Sequence, residues 1–117
     1  MVLVDTSVWI DHLRIHDERL AAHLREAEVI MHPFVVGEIA LGELRRRVEI
    51  LSLLSRMPQA PVASHLEVLA FIEHRALRGR GIGYVDAHLL ASALLAGASL
   101  WTHDKRLRAI ARSLGVA

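Results

Sequence analysis

A chain of 117 residues, 53% hydrophobic and only 4% aromatic, has room for one core of Leu, Ala, Val and Ile, and this excludes both a disordered segment and a second domain. The absence of cysteine excludes disulfides, thiolate metal sites and a cysteine nucleophile, and fits a reducing compartment. A formal net charge of +1 excludes little, but thirteen of the fourteen basic residues are Arg, whose planar fork suits phosphate and carboxylate.

Met1 leads directly into Val2-Leu3-Val4 without a basic start, so no targeting segment is expected. Val2 to Val4 reads as a buried strand closed by the capping sequence Asp5-Thr6-Ser7, after which Val8, Trp9, Ile10 and Leu13 sit at helical spacing. Glu18 to Ala27 reads as an amphipathic surface helix. Glu28 to Met31 is the next strand candidate, and Pro33 at a first helical position opens a long helix running through Leu54. Glu38 lies in its early turns among Val35, Val36, Ile39 and Ala40, unusual company for a charge, while Gly37 and Gly42 offer close backbone approach. Pro58-Gln59-Ala60-Pro61 is a turn or short extended link.

Ser64 to Leu77 reads as another helix. Arg78 to Gly83 is a glycine-rich loop that lacks the Lys-Ser/Thr of a phosphate-cradling P-loop. Asp86 stands near the start of an alanine- and leucine-rich helix ending at Gly97; Ala98 to Thr102 reads as a buried strand with Asp104 just beyond it, and Lys105 to Leu114 closes the chain as a basic helix. The longest uncharged run, Leu89 to Thr102, is shorter than the roughly 20 apolar residues of a spanning helix. A cytoplasmic protein without a membrane segment is expected.

This alternation predicts a single domain over residues 1–117 of the α/β class, a three-layer α/β/α arrangement with a small, mostly parallel sheet flanked by helices. In such sheets ligands bind beyond the carboxyl ends of the strands. Asp5 and Asp104 each follow a strand, and Glu38 and Asp86 begin helices able to point at the same crevice. Four acids in one place raise one another's pKa values unless cations neutralise them, and hard oxygen donors without Cys favour Mg²⁺ or Mn²⁺ over zinc.

At these residues the chain resembles the PIN-domain ribonucleases, and among them the VapC-type toxins of bacterial and archaeal toxin–antitoxin pairs. The resemblance rests on Val4 to Asp11 (VDTSVWID), Glu38 to Leu44 (EIALGEL), Val85 to Ala91 (VDAHLLA) and Leu100 to Leu107 (LWTHDKRL), in that order. It implies a parallel sheet with an acidic metal pocket, in which Asp5, Glu38, Asp86 and Asp104 are the catalytic and metal-binding acids and Thr6 and Thr102 supporting hydroxyls. Leu107 stands where many relatives carry an aromatic, and His103 where a basic residue is common. The resemblance further implies Mg²⁺-dependent cleavage of RNA to a 5′-phosphate and a 3′-hydroxyl, a cognate antitoxin that inserts an apolar helix and a basic tail, and a homodimer. The arginine-rich runs at 45–47, 75–80 and 105–112 are candidates for an RNA track.

Plainer readings stand beside these. A lone Asp after a strand is ordinarily a cap, and Ser7 is read as a cap more readily than the two threonines. Glu43 reads as a solvated or salt-bridged residue, His88 and His103 as packing residues, His12, His16, His23, His65 and His74 as surface residues, and Trp9 and Trp101 as core. Two rival functions remain, a catalytically silent PIN-like module that binds RNA or protein, and a phosphoryl-accepting domain using Asp5, for which Lys105, the sole lysine, is poorly matched.

Overall fold

The computed structural model describes all 117 residues. Three short strands, β1 (Val2–Val4), β2 (Val29–Ile30) and β3 (Ser99–Trp101), pair in the order β2-β1-β3, with both pairings parallel. Seven helices surround them: α1 (Thr6–Arg14), α2 (Glu18–Arg25), α3 (Pro33–Ala40), α4 (Arg47–Arg56), α5 (His65–His74), α6 (Tyr84–Ala96) and α7 (Lys105–Ser113). This is the expected α/β/α arrangement. No helix is long and apolar enough to cross a membrane.

The strands are short because each supplies only the residues that the two helical layers cover. Leu3 and Val4 are fully buried in β1, as is the adjoining core of Leu89, Leu90 and Ala93 from α6. Helix α6 buries seven consecutive residues, Ala87 to Ala93, which is why its sequence is apolar all round rather than striped. It ends at Gly97, whose φ of 61° lets the chain turn back into β3. The sheet continues beyond β2 through a parallel bridge between Met31 and Gln59, so the proline-flanked link is extended rather than a turn.

The long helix expected from Pro33 to Leu54 is two helices. The first stops at Ala40, and a turn over Leu41 to Arg46 brings the chain into α4 through Arg46 at φ 54°. Apolar periodicity runs through both pieces, but Gly42 weakens the helix where the Arg47 guanidinium donates to the carbonyls of Ala40 and Gly42. Those are helix-end acceptors that a continuous helix would have used itself. Gly37 faces open space, so the close approach expected there is absent; Gly42 sits 3.4 Å, measured to an added Cβ, from the Ile39 carbonyl.

Candidate active site

The register of the sheet brings the acids together. Val4 lies opposite Trp101, and the Asp5 amide donates to the Trp101 carbonyl at 2.9 Å, so Asp5 and the Thr102–Asp104 segment leave adjacent strand tips on the same edge. Asp5 is 7% exposed, Asp86 is partly buried, and Glu38 and Asp104 are exposed. The cluster therefore has a deep end at Asp5 and an open rim.

Hydroxyl groups fix the deep end. Thr102 Oγ1 donates to Asp5 Oδ2 at 2.7 Å and accepts the Asp104 amide at 3.0 Å, joining two acids from opposite ends of the chain. Ser7 Oγ donates to the same Asp5 oxygen at 2.7 Å and accepts the His103 amide at 3.0 Å. Thr6 Oγ1 donates to Glu38 Oε1 at 2.6 Å. Thr6 and Thr102 each hold one acid through a hydroxyl, and Ser7, read as a cap, is bound into the cluster as tightly as Thr102. A Ser two residues after a strand-terminal Asp carries no sequence mark that separates these roles.

The helix termini hold the other two acids. Asp86 Oδ2 accepts the Gly83 amide at 3.0 Å at the start of α6, and Asp104 Oδ1 accepts the Leu107 amide at 2.9 Å at the start of α7. Each of the four acids thus has one oxygen held by a protein donor and a second that makes no hydrogen bond within the chain. None of the four forms an ion pair with Lys, Arg or His.

Their fields meet at Asp86. Its pKa is raised, first by burial and then by Asp5, Asp104 and Glu38, against the lowering effect of the Gly83 amide. Coulombic coupling reaches farther than coordination: no three acidic or imidazole side chains close on one point as a ready-made cage. Unneutralised carboxylates repel, and a bound cation offsets that repulsion. A hard divalent cation fits the donor set, which is all oxygen, anionic and without a cationic side chain.

Glu38 corrects one expectation. It is exposed, in the last turn of the shortened α3 rather than the early turns of a long helix, so it is not an acid forced among aliphatics. The histidines also divide differently. His32 is fully buried and caps α3, its Nδ1 accepting the Phe34 amide at 3.0 Å. Burial, and His88 secondarily, lowers its pKa to about 4. His88 is a packing residue as expected, edge-on to Phe34 and Tyr84. His12 and His23 are partly buried rather than surface residues. His103 is tied at 2.6 Å to Asp11. Of the expected core tryptophans Trp9 is buried, but Trp101 is only partly so.

A family model described as PIN domain matches residues 2–113. The chain belongs to the PIN-domain family. Within it, the chain is 52% identical over 118 residues to Ribonuclease VapC32 of Mycobacterium tuberculosis, in strain CDC 1551 / Oshkosh and in strain ATCC 25618 / H37Rv, spanning 100% of this chain and 95% of each relative.

Proposed function

We propose that this protein is a Mg²⁺-dependent endoribonuclease, able to use Mn²⁺ in place of Mg²⁺, and the toxin of a pair whose cognate antitoxin neutralises it. One observation carries the reading: four acids couple electrostatically at the strand tips with free oxygens and no cationic partner. The ribonuclease name of the 52% identical relative supports RNA as substrate.

Asp5 and Asp104 would hold the cation directly, with Glu38 and Asp86 completing its surroundings or taking the proton of the attacking water. When bound, such a cation supplies Lewis-acid activation of water and offsets charge on the reacting phosphate. The chain's own task is orientation. Thr102 and Ser7 fix Asp5 so that only Oδ1 is free, Thr102 sets Asp104, the capping residue of α7, relative to it, and Thr6 restrains Glu38. The N-termini of α6 and α7, capped by Asp86 and Asp104, add positive dipole ends near the phosphate.

Partner binding follows from surfaces left bare. A groove of about 810 Å³ runs between α1 and the turn into α4, lined by Ile10, Leu13, Leu44 and Ile50 with Arg14 and Arg45 at its sides. Leu41 and Val48, 90% and 83% exposed, flank that turn. These support docking of an apolar antitoxin helix. Exposed Leu66 and Leu69 on α5 support a homodimer, and the reading places the protein in the cytoplasm.

The test is RNA cleavage by wild type and by Asp5→Asn, with Mg²⁺ and with chelator. Asparagine keeps an acceptor for Thr102 and Ser7, so the variant folds; its cleavage falls by at least about 100-fold. A folded Asp5→Asn protein that cuts RNA at the wild-type rate sinks the assignment.

A further inference from the structure

A second concavity lies along β3, outside the acid cluster. It encloses about 480 Å³, within the range of small-ligand sites, between α2 and α7. Its floor is Trp101, the partly exposed indole of an edge strand. Arg19 lies over that ring with its guanidinium carbon 5.0 Å from the centroid, and the rings of His23 and His103 stand edge-on to it at 6.0 and 6.4 Å. Arg108 and Arg112 form the α7 wall, Ala117 also lines the cavity, and no Asp or Glu side chain does. Arg112 makes no hydrogen bond or ion pair through its side chain, and Arg108 donates only to the His103 carbonyl at 3.4 Å.

We infer that this groove is a subsite for a nucleotide of single-stranded RNA flanking the scissile phosphate, with the base stacked on Trp101 and its phosphate held by Arg112 and Arg108. An aromatic plane beside guanidinium groups is the arrangement that grips unpaired bases without reading their sequence. Arg19, 74% exposed and held only by a long 3.9 Å ion pair with Asp17, can lift from the indole and close over the base. The groove adjoins the acid cluster through shared residues: Thr102 and His103 line it, while Thr102 Oγ1 binds Asp5 and the His103 amide binds Ser7. A strand whose phosphate sits at the acids therefore enters the groove with its next residue. An acidic peptide could meet the arginines but offers no planar base to stack on Trp101, so the aromatic floor favours RNA.

The inference rests on the ribonuclease reading for what lies at the acid end, but it is tested without cleavage. Single-stranded hexaadenylate RNA is titrated into the ¹⁵N-labelled full chain with chelator present, and the two indole Nε1–H resonances are followed. That of Trp101 moves; that of Trp9, 3% exposed, does not. Arg112→Ala weakens binding three- to tenfold and lowers the slope of log affinity against log salt by about 0.7, the value of one phosphate contact on a single strand. Trp101→Leu weakens binding about tenfold and Trp101→Phe restores most of it; should Trp101→Leu not fold, the exposed Arg112→Ala variant and the wild-type Trp101 resonance carry the test. A Trp101 resonance that stays put at saturating RNA overturns the inference, as does one that moves with hexaglutamate and not with RNA. Cleavage by wild type is scored separately. Intact cleavage with an unmoved Trp101 removes the groove alone, and a moving Trp101 without cleavage removes the nuclease reading and keeps the groove.

Discussion

Replacing Thr102 with Val tests how the acid cluster is held together. Thr102 is 2% exposed, and Val has nearly its shape, so the change opens no cavity and removes only a hydroxyl. Two short hydrogen bonds go with it, one to the Asp5 carboxylate at 2.7 Å and one from the Asp104 amide at 3.0 Å, together with a longer one to Ser7 Oγ at 3.4 Å. A bond to a charged group contributes about 1.5–3 kcal/mol, and an unpaired amide costs about 1–3 kcal/mol when no water reaches it. Ser7 still holds Asp5 Oδ2 and Asp104 is exposed, so the low end applies, about 2 kcal/mol in all. For a domain of this size that lowers Tm by roughly 8 °C. Loss of a group that orients a ligand lowers activity about 10- to 100-fold. Thr102→Ser keeps the hydroxyl and should retain most activity while losing about 1 kcal/mol for the missing methyl. Thermal unfolding and RNA cleavage at saturating Mg²⁺ measure both quantities. A Val variant of wild-type stability and activity would refute the reasoning, because the hydroxyl would then hold nothing.

Asp86→Asn removes a charge whose pKa the fold raises. The native state binds the Asp86 proton more tightly than the unfolded chain, so ionising Asp86 costs stability above its folded pKa, and below the unfolded pKa the cost vanishes. In chelator the variant is therefore more stable than wild type at pH 7 and no more stable at pH 3, while its Mg²⁺-dependent cleavage is lost; denaturation at the two pH values checks the sign. His32 behaves in the opposite sense, because its folded pKa near 4 lies below the unfolded 6.5. Its contribution, no more than roughly 3 kcal/mol, is fully present above pH 6.5 and lost as pH falls through about 4, so His32→Asn should flatten the stability profile over that window. Gly81 and Gly79 both hold positive φ, 81° and 71°, but a Cβ on Gly81 comes within 2.7 Å of the Arg106 side chain and one on Gly79 meets nothing within 4 Å. Alanine at either position costs roughly 1–2 kcal/mol of backbone strain, yet only Gly81→Ala should displace Arg106 and raise the KM for RNA several-fold.

The sheet and the acid cluster were legible because short strands ending in Asp, with helices between, allow few parallel arrangements. The neighbouring of β1 and β3 that this implies is what joins Asp5 to Asp104. The break after Ala40 was not legible, since apolar spacing continues across it and the helix end depends on Arg47 reaching back to two carbonyls. Which arginines stay free for a ligand is likewise not readable from their spacing. Arg47 is engaged in capping and Arg46 pairs with Glu49 at 2.5 Å, while the unpaired Arg112 faces Trp101's groove from α7. The roles of Ser7 and His32 arise from contacts fixed only when strand tips and helix starts meet, one with Asp5 and His103, the other with the Phe34 amide in a buried pocket.

A crystal soaked in Mn²⁺ tests most directly whether these acids share a cation. An anomalous peak at about 2.1 Å from the free oxygens of Asp5 and Asp104, with Glu38 and Asp86 facing it directly or through water, is the result expected. A peak only elsewhere, at Mn²⁺ concentrations that support RNA cleavage, would contradict the account.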